Sequence, residues 1–307
     1  MSLTLIEGAK LSNDVLKVGV IETIIKDSPI LQKLPFVEII GNALTYNREN
    51  VMASAGWYAV GDVWTESTPT FTQLEAVLRI LGGDADVDNY IKTTRSNIQD
   101  VEAAIVELKS KSVLHEFERC FIYGNNATNV KEFTGIRMLI DTTAASAQVI
   151  VKGATGLTLT LAHVDELIDA VKGGKPDLLL MSRRSRRHIT QLVRAASAQL
   201  IESGKNEYGE WTERYCGVPI AISDWVLDTH TVAGSVETST TTGAASVIYA
   251  LCFGEGALEG LQGGGGIQVE KKGNLETKDA SRTRIKWYVS LADFCTVKRA
   301  ALIGVLA

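Results

Sequence analysis

Four short stretches hold residue types that could do chemistry, and each lacks a part that the chemistry needs. Gly174-Lys175 resembles the end of a phosphate loop, but Pro176 stands where Ser or Thr must reach the metal, and the upstream glycine is missing. Gly254-Glu-Gly256 follows a strand-like run, as a dinucleotide fingerprint would. Its third glycine position holds Glu259, whose carboxylate would repel a pyrophosphate. His115-Glu116 begins like a zinc-protease helix, yet Arg119 occupies the position of the second His. Asp84, Asp86 and Asp88 alternate as in a calcium loop, but the positions that need Gly and Glu hold Asn89 and Arg95. This stretch is read as a solvated acidic connection, not as a metal site. The four histidines, His115, His163, His188 and His230, are isolated and lack ligand spacing. No Gly-x-Ser-x-Gly elbow occurs. No catalytic, cofactor-binding or metal-ligating residue is therefore assigned, and no cofactor is expected.

Two other groups point to binding. Arg183, Arg184, Arg186, Arg187 and His188 open a helix, where positive charge opposes the macrodipole and implies an external anionic partner. That partner is either a carboxylate of a neighbouring subunit or a nucleic-acid phosphate. The absence of interleaved aromatics for base stacking favours the carboxylate. Trp57, Tyr58 and Trp64 lie on the tip between two strand-like runs, with little core of their own. Left in water they would form an aggregation-prone patch. Either the tip folds back onto its own domain or it docks on another subunit, and the length of the runs favours docking.

The elements that must position these groups follow from periodicity. Residues 1–35 read as an arm with one short helix, ended at Ser28-Pro29. Strand-like runs cover Phe36 to about Arg48 and Thr70 to Leu81, closed by a tip from Asn47 to Pro69. A capping box at Ser96 and Gln99 opens a helix over 97–123. Ile98, Val101, Ile105, Leu108, Val113, Leu114, Phe117, Cys120 and Phe121 form its apolar face, and Glu118 falls among the polar residues. Gly124-Asn125 suits a left-handed stop. Phe133 to Ile140 reads as a turn into a short strand. A second unit begins near residue 150, with a helix from Ala162 to Val171 and a buried strand from Asp177 to Met181. Ser182 is placed as the cap of a helix from Arg183 to about Ile201. Core strands are expected over Val218–Ile222 and Val247–Phe253, separated by a long Ser/Thr/Gly loop, Thr229 to Ala245, read as mobile. The last forty residues are expected to return as strands to the first unit's sheet.

Bulk composition agrees with a filled core: 307 residues, 45% apolar and 22% charged. A net charge of −5 argues against a protein whose main task is coating nucleic acid. No run approaches a membrane span, and the first residues lack a signal peptide's basic start and apolar run. The four cysteines are widely separated, and read as reduced and mostly buried thiols.

The order of these parts resembles the major capsid protein of tailed double-stranded DNA bacteriophages, the Hong Kong ninety-seven type of fold that encapsulins share. Four strings carry the resemblance: Ser28-Pro-Ile-Leu-Gln-Lys-Leu-Pro-Phe-Val, Phe121-Ile-Tyr-Gly-Asn125, Gly217-Val-Pro-Ile-Ala-Ile-Ser223 and Tyr288 to Ile303. The resemblance implies an α+β fold with an N-terminal arm (1–35) and a peripheral domain (36–150 and 265–307). That domain would hold an extended loop (41–75) and a spine helix (97–123), and residues 151–264 would form an axial domain. It further implies no enzyme but a subunit that self-assembles into pentamers and hexamers of an icosahedral virion capsid in the host bacterial cytoplasm. Trp57, Tyr58, Trp64, Arg183, Arg184, Arg186 and Arg187 would be its subunit-interface residues. Separate scaffolding, portal and decoration proteins are implied partners, and packaged DNA would be touched weakly and without sequence preference. Some relatives cross-link through a lysine on the extended loop; here no Lys lies between Lys33 and Lys92, so that chemistry is not expected. The chain begins almost directly in the arm, so any scaffold is expected to be separate. An encapsulin-like cargo shell is the second reading, and a soluble enzyme with an unrecognised site is the third.

Overall fold

The structure is a computed structural model that describes residues 28–51, 53–90, 101–141, 147–153, 156–196, 201–205, 211–233 and 236–307. The arm helix expected before Ser28 and the cap expected at Ser96 lie outside these residues.

The chain opens with a tight turn over residues 28–34, then β1 (Phe36–Glu38). A long hairpin follows, β2 (Ala43–Val51) with β3 (Thr70–Val77), and then β4 (Arg79–Asp88). Helix α1 spans Val101–Tyr123 and α2 spans Ile136–Asp141. Next come β5 (Val149–Val151), β6 (Leu157–Thr158), α3 (Leu161–Ala170), β7 (Leu178–Met181) and α4 (Arg183–Ala195). The strands β8 (Ile201–Lys205), β9 (Trp211–Tyr215), β10 (Val218–Ile222), β11 (Thr231–Ala233), β12 (Val236–Ser239) and β13 (Ser246–Leu251) follow. The chain closes with β14 (Leu258–Asn274), β15 (Ala280–Asp293) and β16 (Arg299–Leu306).

These strands build two main sheets. One has four strands in the order β1-β14-β15-β4. The other has eight, ordered β5-β16-β13-β7-β10-β9-β8, with β6 also paired to β16. The central strands β7 and β13 are buried at every residue, the pattern of strands covered on both faces. Alternation splits their side chains between two cores. Leu179, Met181, Ile248 and Ala250 face α3 and α4, against Val164, Leu167, Ile189 and Val193. Leu178, Leu180, Val247, Tyr249 and Leu251 face the other way, into a core shared with Val113, Phe117 and Phe121 of α1 and Ile285, Trp287 and Val289 of β15. The second core fuses the two units. Trp287 is its fully buried centre, with Phe117 at 4.9 Å and Phe36 at 5.4 Å between ring centroids.

Several expectations change on contact with this packing. The acidic run is not a connection but strand β4, which pairs with β15 from Asp88↔Ala280 to Arg79↔Val289. Gly82 serves close approach of β4 to β15: a Cβ there would sit 2.4 Å from the Ile285 carbonyl oxygen. The carboxylates are paired: Arg284 Nε donates to Asp84 Oδ1 and Arg282 Nε to Asp86 Oδ1, each at 2.6 Å and each with a second parallel bond at 2.8 Å. Phe133 to Ile140 leads into α2 instead of a strand, because Ile136 and Ile140 bury one helical face. The Thr229–Ala245 stretch contains the β11–β12 hairpin, held by buried Val232 and Glu237. On α1, Leu108 points outward, while Glu118 is buried and accepts from Ser28 Oγ at 2.6 Å. Gly124 ends α1 without a left-handed turn. It is glycine because a Cβ would meet the Phe133 carbonyl oxygen at 2.3 Å. Helix α4 stops at Ala195 and Ile201 already belongs to β8. Of the cysteines only Cys120 is fully buried. Finally, β16 joins the eight-stranded sheet between β5 and β13, while β14 and β15 join the four-stranded one.

The Asp84 and Asp86 pairs make a pH prediction. Hydrogen bonding from Arg284 and from Arg282 with Lys278 holds both carboxyls below the usual carboxylate range. The unfolded chain takes up these protons near pH 4 and the folded chain only at lower pH. Their contribution is therefore present above about pH 4 and is lost as pH falls through the folded values. The Asp84→Asn, Asp86→Asn double variant should show a shallower fall in urea midpoint between about pH 5 and pH 2 than the parent. Equal slopes would remove these pairs from the acid response.

Candidate assembly interface

The β2–β3 hairpin is built in two parts. At its root, paired positions run from Ala43↔Val77 to Val51↔Thr70, with a bulge between Glu49 and Val51. Ala76 joins buried Leu261 and Ala292 in a small core that Leu44, Tyr46, Leu78 and Phe294 cover. The Tyr46 and Phe294 rings lie 4.8 Å apart. Beyond the root none of the described residues covers the tip. Trp57 is fully exposed, Trp64 is 78% exposed, and Val60, Val63 and Phe71 are also in water. The tip is nonetheless locally ordered: Tyr58 stacks on Trp64 with centroids 4.4 Å apart, and its hydroxyl accepts from the Thr65 N–H at 3.2 Å. Asp62 Oδ2 accepts from the Ala59 N–H at 2.6 Å, and Ser67 Oγ from the Ser54 N–H at 2.9 Å. Of the two fates open to the tip, folding back onto its own domain is not what these residues do.

A buried charge network fixes the direction of the root. Arg48 of β2 donates to Asp293 Oδ2 at 3.0 Å and also to the Asp293 carbonyl. The same carboxylate oxygen accepts from Arg299 at 3.0 Å, and Arg299 Nη2 donates to the Leu139 carbonyl at 2.9 Å. Asp293 and Arg299 are each about 2% exposed. Burial depresses the proton affinity of Arg299 and Asp293 opposes that effect. Two guanidinium groups thus share one carboxylate, tying β2 to the end of β15, the start of β16 and α2.

The arginine cluster lies elsewhere, at the start of α4. Ser182 caps the helix as expected, its Oγ accepting from the Ser185 N–H at 3.2 Å. Arg183 pairs with Asp224 at 2.7 Å and Arg186 with Glu213 at 3.2 Å, and Arg184 donates to the Ala307 carbonyl. The anions anticipated from a neighbour are thus supplied in part by the chain itself. Arg187 is exposed. The exposed loop tip touches none of these residues, so the two groups of candidate interface residues are separate patches.

No protein-family model matches this sequence, and no curated protein matches it. Solved structures do. A chain of the holo-SrpI encapsulin complex from Synechococcus elongatus PCC 7942 aligns over 91% of this chain and 88% of its own, with a TM-score of 0.63 and 18% identity. The capsid of the native GTA particle aligns over 91% and 90%, with a TM-score of 0.63 and 13% identity. A chain from Microbacterium phage Oxtober96 aligns over 91% of both chains, with a TM-score of 0.61 and 14% identity. This chain has the Hong Kong ninety-seven type fold. At these identities the shared property is the fold, and the resemblance drawn from the order of elements is correct at that level.

Within this fold the sequence hid one further polar group. His230 is buried and not isolated: its Nδ1 meets the Glu237 carboxylate and its Nε2 stands 3.2 Å from the Tyr123 hydroxyl. That hydroxyl also accepts from the Leu227 N–H at 3.1 Å, and Arg137 reaches Glu237 at 3.1 Å. The set joins the end of α1, α2 and the β11–β12 hairpin. Its spacing in sequence carries no signal, since Tyr123 and His230 stand 107 residues apart. Among the described residues no cluster of metal-ligating side chains occurs, and no helix is long and apolar enough to cross a membrane.

Proposed function

We propose that this chain is the structural subunit of a closed icosahedral shell, the capsid of a double-stranded DNA phage, and that it is not an enzyme. One observation supports the reading most: a shell fold that projects a firmly rooted hairpin whose aromatic tip is covered by none of the described residues. Exposed indoles of this size are rare on monomers, and are what a repeated subunit contact would bury. Trp57, Tyr58 and Trp64 would lie on an adjacent copy within pentamers and hexamers. Arg183, Arg184, Arg186 and Arg187 would face carboxylates of a further copy, Arg187 with the least competition from its own chain. In this reading residues 151–264 form the axial domain and β16 completes its sheet. Assembly would take place in the host cytoplasm.

The structural likeness to an encapsulin, at the highest identity of the three chains compared, supports a second reading as a cargo shell. Electron microscopy of the purified protein tests both, followed by analysis of particle contents. DNA-filled or empty procapsid-like particles fit the capsid, an enclosed enzyme fits the cargo shell, and a 33 kDa monomer on sizing defeats either. The loop has no lysine, so the particles should dissolve in hot detergent to single-chain bands. A ladder of covalent oligomers would contradict this.

A further inference from the structure

The composition of the loop describes the surface that would cover it. Between Arg48 and Arg79 the chain carries four carboxylates, Glu49, Asp62, Glu66 and Glu75, and no Lys, Arg or His. The tip therefore offers exposed indoles beside uncompensated negative charge. A complementary surface must be cationic and must also present flat apolar groups to the indole faces.

One cleft has both properties. It is open, about 470 Å³, and lies where the turn after residue 28, the approach to β7 and the β9–β10 turn come together. Lys33, Lys175 and Arg214 line it. Its apolar wall is Phe253 with three of the chain's five prolines, Pro35, Pro176 and Pro219. Proline rings fix the backbone and bring no N–H, so this wall is rigid and offers a stacking surface without competing donors. The one carboxylate there, Asp177, is already engaged by the Phe253 N–H at 2.9 Å. Lys175 is oriented by the Cys216 carbonyl at 2.9 Å, and Gly217 adopts φ +84 beside it. Among the described residues the buried Arg214 Nε has no hydrogen-bond partner. Four cations elsewhere are held by carboxylates of their own chain, Arg183 and Arg186 by Asp224 and Glu213, and Arg282 and Arg284 by Asp86 and Asp84.

We propose that this cleft receives the loop tip of a second copy of the chain. An indole of Trp57 or Trp64 lies against the Pro and Phe253 wall, and Glu66 pairs with Arg214. The inference rests on the shell reading and adds the receiving surface. The test uses assembled wild-type particles made from mixed unlabelled and ¹⁵N-labelled chains. Zero-length carbodiimide coupling, mapped by mass spectrometry, should join Glu66 or Asp62 of one copy to Lys175 or Lys33 of another. In parallel, the Lys175→Glu, Arg214→Glu variant should need at least about tenfold more protein to assemble. Adding Asp62→Lys and Glu66→Arg should restore assembly. Should the reversed variant fail to fold, the coupling map on wild-type particles decides alone. Normal assembly of a folded reversed variant, or inter-copy links only elsewhere, overturns the cleft and leaves the shell reading standing. Unchanged assembly with loss of co-purified nucleic acid would make the cleft a nucleic-acid surface instead. Wild-type protein that forms no particles overturns both.

Discussion

The double variant Trp57→Ala, Trp64→Ala should remain monomeric on sizing chromatography at concentrations where the parent forms particles, with an unchanged far-UV circular dichroism spectrum. The two halves of this result have separate causes. Trp57 is fully exposed and Trp64 nearly so, so the folded monomer loses almost no buried apolar area when they are truncated. The small residual cost is the Tyr58–Trp64 stack. On docking, however, each indole would remove about 150–250 Å² from water. Central aromatic anchors of this kind cost about 2–4 kcal/mol each on truncation. Two of them per contact amount to at least about 4 kcal/mol, close to a thousandfold in the concentration needed. Every copy in a closed shell both gives and receives the contact, so no subunit escapes the loss. Replacement by Phe should keep part of the assembly. Particles at parental concentration from the Ala variant would remove the tip from the interface.

Asp293→Ala should produce the largest loss of stability. Asp293 is the sole carboxylate between Arg48 and Arg299 in the described network, and Arg299 is almost completely buried. Truncation leaves an uncompensated buried cation, an outcome that costs about 3–5 kcal/mol. For a chain of this size that is a fall of roughly 5–8 °C in melting temperature. The sign of a second substitution separates this mechanism from simple loss of packing. Adding Arg299→Met to Asp293→Ala removes the stranded charge and should recover part of the loss, since an apolar replacement of a buried pair is often tolerated. Hydrogen exchange in β2 should also rise, because Arg48 no longer anchors the loop root. A melting temperature within a degree or two of the parent would show that this network carries little of the fold.

The two predictions differ in how far the sequence revealed them. The aromatic tip was legible because its problem is local: three large rings between two alternating runs have no core within reach of their own segment. The Asp293 network was not. Arg48, Asp293 and Arg299 lie in three separate strands, two of them 245 residues apart. No periodicity links residues that only the pairing of sheets brings together. The same holds for His230 with Tyr123, and for the cleft whose cations come from three parts of the chain.

Residue pattern alone determined the long helix ending at Tyr123, the capped α4, the buried strands β7, β10 and β13, and the order of parts that identified the fold. Each depends on a repeat of two or 3.6 residues, or on a cap next to its helix, and those forces act within a few residues. The tertiary structure decided where strands of mixed character belong. An Asp-rich run became β4 because Arg282 and Arg284 stand opposite, a Ser/Thr-rich loop became a hairpin around Glu237, and β16 left its sequence neighbours for a place between β5 and β13 in the larger sheet. Polar residues are settled in strands and cores only by partners that neutralise them, and those partners arrive from distant segments when the chain folds.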